Sequence, residues 1–178
     1  MFIQSLIKCI DNLSEWIGKL MAWFAVAVVV LMALIVILRY GFNIGSIALQ
    51  ESVIYLHSAV FLLGAGYTLK HNEHVRVDLF YNQFNVKQKA WVNLLGSLLL
   101  LIPVAVFILV MSGSFVLDSW QIMEGSNEAG GLPFIYILKS FIPAFCILLI
   151  LQALSEAGKA LLVITNTEQN KTDQGAHS

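Results

Sequence analysis

Charge is what this chain has least of. Only 12% of its 178 residues are Asp, Glu, Lys or Arg, and 58% are hydrophobic; a soluble domain carries about 25% charged residues. A soluble protein of this size needs a polar face on nearly every helix, and too few polar side chains exist here to supply one. The formal net charge of −1 excludes a nucleic-acid partner held by a basic surface, because that takes clustered Lys and Arg to displace counterions. Cysteine is almost missing. Cys9 and Cys146 stand 137 positions apart in apolar surroundings, which reads as two buried thiols with no disulfide. What remains is an integral membrane protein.

Uncharged runs locate the spans. Met21 to Leu38 and Ser52 to Leu69 each give 18 residues without Asp, Glu, Lys or Arg, Ala90 to Leu117 gives 28, and Phe141 to Ser155 gives 15, extended backwards across Lys139 by Leu132–Leu138. Crossing ~30 Å of hydrocarbon takes about 20 helical residues, and lipid leaves no partner for free backbone groups, so the spans are helices. The expected fold is an all-α membrane protein, one domain over residues 1–164, with four transmembrane helices at about 21–38, 52–70, 88–117 and 133–155. The third run is too long for an upright span and should tilt or project, with Pro103 as the place for a kink.

Lys and Arg set the orientation. Lys8, Lys19, Lys70, Arg76, Lys87, Lys89, Lys159 and Lys171 fall on one side; only Arg39 and Lys139 fall on the other. By the positive-inside rule both termini are cytoplasmic. In residues 1–20, Phe2, Ile3, Leu6, Ile7, Ile10, Leu13, Ile17 and Leu20 recur at helical spacing, with Lys8, Asp11, Asn12, Glu15 and Lys19 on the remaining surface. This predicts an amphipathic interfacial helix in the inner headgroup layer. The apolar run that follows is long for a signal peptide and ends in Leu38-Arg39-Tyr40, so it is expected to stay. Residues 165–178 are polar with almost nothing to bury and read as a disordered cytoplasmic tail.

Catalytic chemistry is also lacking. Ionisable groups at membrane depth are costly and usually functional, and here they reduce to His57 in span two and Lys139 near the outer end of span four. Haem would need paired histidines on facing helices, a proton-coupled exporter a mid-bilayer carboxylate, and neither exists. No hydrolase, ATPase or zinc-protease motif appears. No enzyme activity, cofactor or metal site is expected. His71 and His74 with Asp78 imitate ligand spacing, but one isolated triplet is a weak signal.

The polar features that do exist allow two readings each. Arg39 either snorkels to headgroups or faces a partner subunit; Glu51 either caps span two, where the helix dipole favours an anion, or joins Arg39 or a partner. His57 either bonds to a neighbouring helix or lines a pathway. Lys139 either snorkels outward or has a partner. Segment His71–Tyr81 forms an inner elbow, and Gly130-Gly131 with Pro133 marks a tight outer turn. Asp118, Glu124 and Glu128 make the outer edge acidic.

Leu38-Arg39-Tyr40, Gln50-Glu51, Gly64-Ala65-Gly66, His74-Val75-Arg76-Val77-Asp78 and Gly131-Leu132-Pro133 with Pro143 occur in an order that resembles the small membrane subunit of tripartite ATP-independent periplasmic (TRAP) transporters, from about Leu38 to Gln152. The resemblance implies a non-catalytic scaffold in the bacterial inner membrane. Its partner would be a large multi-span subunit that carries substrate and sodium by an elevator movement, and a periplasmic binding protein would deliver an organic acid. Arg39, Tyr40, Glu51, His57, His74, Arg76, Asp78 and Lys139 are then candidate contacts to the large subunit, and Asp118, Glu124 and Glu128 a candidate docking edge for the binding protein. Membrane lipid covers the rest. The alternatives from the residues alone are a stand-alone small oligomeric transporter or channel, and the membrane anchor of a redox enzyme.

Overall fold

The computed structural model describes residues 2–71 and 84–175, with side chains for residues 4–71 and 84–165. His74, Arg76 and Asp78 lie outside the described residues. Helix α1 runs Phe2–Gly41, α2 Ile47–Leu63 and α3 Ala65–Lys70; α4 runs Val86–Leu95, continues through a π-helical segment Gly96–Leu101 into α5 Ile102–Gln121, and α6 runs Ile135–Gly175. No strand occurs among the described residues. Four helical stretches are long and apolar enough to cross a bilayer: Gln4–Gly41, Ile47–Lys70, Val86–Gln121 and Ile135–Thr165.

Helix α6 is the hub, touching every other described helix. It can do so because small and branched residues recur along one side of it. Ala157, Ala160 and Ile164 close on Ala90 and Leu94 of α4, and Leu149 and Ala153 close on Leu69 and Ala105. Lipid gives apolar side chains no reason to leave it, so such contacts depend on close van der Waals packing, which small residues permit. Gly18 serves the same end between α1 and α3: a Cβ there would lie 2.2 Å from Tyr67 Cδ2.

The long third run is accommodated by a change of helical register. Pro103 lacks an N–H and its ring crowds the carbonyl one turn earlier. The ladder widens in the turn before it, so that the Ile102 N–H bonds to Ser97 O, five residues back. The distortion expected at Pro103 thus sits just ahead of it, as a π segment.

The N-terminal residues differ from their expected form. No break separates them from span one: α1 is a single helix of 40 residues, about 60 Å long. Asp11 and Glu15 do not all face water either. They sit with buried Ile7, Ile10 and Ser14 on the side that meets α6 and α3, while Leu6, Leu13 and Trp16 are exposed. Both cysteines are free, Cys146 buried and Cys9 exposed. Cys9 departs from the expected burial because it projects away from the face formed by Ile7, Ile10 and Ser14. Helix α6 continues to Gly175, through a stretch whose composition offers little to pack.

Candidate functional site

The polar groups of this chain gather at its two ends. Asp11 near the start of α1 bonds to Ser155 and Lys159, at and just past the middle of α6, so the early part of α1 and the second half of α6 lie at one end of the bundle. The opposite end carries the α1–α2 and α5–α6 loops.

At the loop end one carboxylate organises the turn. Glu51 lies in the second turn of α2, while Ser46 is the N-cap and accepts a bond from Leu49 N. Glu51 therefore does not cap the helix. Its Oε1 accepts from the Ser126 hydroxyl and its Oε2 from Leu132 N at 2.5 Å. The turn closes on itself through Ser126 N to Leu132 O and Gly131 N to Glu128 O, both 3.0 Å. Gly131 is required by space: a Cβ would lie 2.6 Å from Ser126 Cβ and 2.7 Å from Glu51 Oε1. Beside it Lys139 pairs with Glu124 and its ammonium lies 4.0 Å above the Phe115 ring, a cation–π contact. The ammonium beside Glu124 holds that carboxyl below its ordinary value of 4.5. Trp120 Nε1 donates to Ser140 Oγ at 2.8 Å, and its ring meets Tyr136 edge-on.

At the terminal end the bonds join side chains far apart in sequence. Ser14 Oγ donates to Gln152 Oε1 at 2.6 Å, Gln152 Nε2 to Asp11 Oδ1 at 3.1 Å, and Ser155 Oγ to the same oxygen at 2.7 Å. Lys159 bridges Asp11 Oδ2 at 2.8 Å and Glu156 Oε1 at 2.7 Å. Glu15 takes Lys70 at 2.7 Å and His71 Nε2 at 3.0 Å, and Lys70 also reaches Asp11 O. Gln152 is fully buried and Ser155 nearly so. A buried polar network of this kind is stable only when its members are paired, and here α1, α3 and α6 supply the partners.

The candidate contacts separate accordingly. Glu51, Glu124 and Lys139 are engaged within the chain, and no ion pair joins Arg39 to Glu51. Arg39, Tyr40, His57, Asp118 and Glu128 are exposed, Tyr40 to 80%. His57 is unlike the rest: it is exposed midway along a span, and no described residue makes a hydrogen bond to its ring. Among the described residues no group of three or more His, Cys, Asp and Glu could hold a metal ion. The terminal network was not read from sequence, although Gln152, Ser155, Glu156 and Lys159 form a polar stripe at helical spacing.

Residues 28–162 match the family model described as "Tripartite ATP-independent periplasmic transporters, DctQ component". The chain belongs to the DctQ family. A Haemophilus influenzae (strain ATCC 51907 / DSM 11121 / KW20 / Rd) protein whose name assigns it provisionally to the small permease of a TRAP transporter is 28% identical over 109 residues, covering 59% of this chain and 66% of that relative. The match thus spans just under two thirds of the relative's own length. No solved structure matches the chain. Membership of DctQ makes it a transporter component, and its four apolar helices make it a multi-pass membrane protein.

Proposed function

We propose that this DctQ chain is a non-catalytic scaffold that pairs with a large elevator-type subunit and supports sodium-coupled import of an organic acid brought by a periplasmic binding protein. The observation that carries the proposal is where its polar groups lie. Most of those with partners are tied to one another at the two ends, and between them the helices meet through apolar side chains such as Leu69, Ala105, Leu149 and Ala153. A middle built this way offers no cluster of donors for a carboxylate and no oxygen cage for a sodium ion, so another chain must hold both. The terminal end, where Lys8, Lys19, Lys70, Lys87, Lys89 and Lys159 lie among the described residues, is the cytoplasmic face of the inner membrane on this reading. The loop end faces the periplasm, where exposed Asp118 and Glu128 offer a docking edge.

Reconstitution tests it. The chain alone in sodium-loaded proteoliposomes should move no substrate; with the large subunit and the binding protein it should support uptake that collapses when the sodium gradient is dissipated. Transport by the isolated chain overturns the scaffold assignment.

A further inference from the structure

Among the described residues, helix faces on α1, α2 and α5 are left exposed at membrane depth, and they are not alike. On α1 the face carries Val26, Val29, Val30 and Ile37; on α5 it carries Val104, Phe107, Val110 and Met111. Neither stretch, residues 20–38 or 96–117, holds a single ionisable side chain. Both are chemically interchangeable with lipid tails. On α2 the exposed positions are Gln50, Ile54, His57 and Phe61, at i, i+4, i+7 and i+11, one continuous stripe along the helix. Val53 and Ala59 are buried inside the bundle. Ile54 is 54% and Phe61 75% exposed, and between them lies an imidazole about 15 Å from the start of the helix at Ile47.

An imidazole in hydrocarbon needs a hydrogen-bond partner, because lipid tails supply none. Among the described residues none bonds to His57. The stripe is therefore unsuited to lipid and suited to a protein surface. Membership of the DctQ family, a component of multi-part transporters, points to another component of that transporter rather than a second copy of this chain.

We infer that the Gln50–Ile54–His57–Phe61 stripe of α2 is the face that packs on a transmembrane helix of the large subunit, with His57 hydrogen-bonded to an oxygen of that helix. The inference rests on the pairing proposed above. The imidazole fixes the register of the two helices, as a single polar group does in a coiled-coil seam.

The experiment uses the full transporter in native membranes, with a photo-reactive benzoylphenylalanine placed at Phe61, at Ile54, or at Phe107 on α5 as a control. Illumination should join positions 61 and 54 to the large subunit and position 107 to lipid alone. In parallel, His57→Leu should lower the amount of large subunit that co-purifies by roughly three- to tenfold, the scale of a lost interhelical hydrogen bond, and His57→Asn should recover part of it. Adducts from 61 and 54 to a second copy or only to lipid, with the two subunits still co-purifying, overturn the assigned face and leave the pairing standing. Failure of the unaltered chains to co-purify overturns the pairing, and this inference with it.

Discussion

The two ends of the bundle hold themselves together in different ways. At the loop end one carboxylate, Glu51, gathers a turn that is continuous in sequence, taking one side-chain hydroxyl and one backbone N–H. At the terminal end several side chains from α1, α3 and α6 share their hydrogen bonds, with sequence separations from 55 to 144. The first arrangement depends on a single residue and the second spreads its dependence. Damage at the loop end should be sharp and local; damage at the terminal end should be graded and felt by three helices.

The largest expected effect comes from Glu51→Ala. It strands the Leu132 N–H and the Ser126 hydroxyl, a loss of about 3 kcal/mol for bonds to a charged acceptor in a half-buried site. Limited proteolysis between residues 124 and 134 should accelerate while contacts at the terminal end stay intact. A loop as resistant as the unaltered one would end the comparison. Asp11→Ala comes next, at about 2 kcal/mol, because Lys159 keeps Glu156 while Ser155 and Gln152 lose their shared acceptor. The double variant Asp11→Ala/Lys159→Ala should cost less than the sum of the single changes in unfolding measurements; strict additivity would mean that no network exists.

A smaller effect is expected from pH. The Glu124 carboxyl is held below 4.5 chiefly by Lys139. Its contribution is fully present above pH 4.5 and is lost as pH falls through the lowered value. Protease resistance of the outer loop should therefore decline below that pH, and Lys139→Met should remove this component of the decline. Smallest of all is Lys19→Ala. Lys19 is 74% exposed and 3.8 Å from Glu15, so its removal should shift stability by less than about 0.5 kcal/mol.

Much of this architecture was legible before any coordinates. The spans follow from uncharged runs whose length only a helix can use in lipid, and the distortion near Pro103 follows from its missing N–H. Glu51 was visible as an important residue but not its action, because its partners Ser126 and Leu132 lie 75 and 81 positions away. Sequence spacing along one helix carries no information about such a distance. The partners of Asp11 and Glu15 are hidden for a related reason: a charged stripe beside an apolar one reads equally well as wet surface or as a seam to another helix. Only the matching stripe on α6, Gln152 to Lys159, distinguishes the two. The depth of His57 is plain from its position in span two, but its direction follows only from the burial of Val53 and Ala59 on α2.

The unbroken length of α1 gives the terminal network reach far beyond its own position. Asp11 and Tyr40 are 29 residues apart on one stiff rod, about 43 Å. Each degree by which the anchored end pivots swings the far tip by about 0.8 Å over that distance. Hydrogen bonds to α6 at one end, together with packing on α2 along the rod, therefore set where Arg39 and Tyr40 stand on the opposite side of the membrane, as the short arm of a lever sets the sweep of the long one.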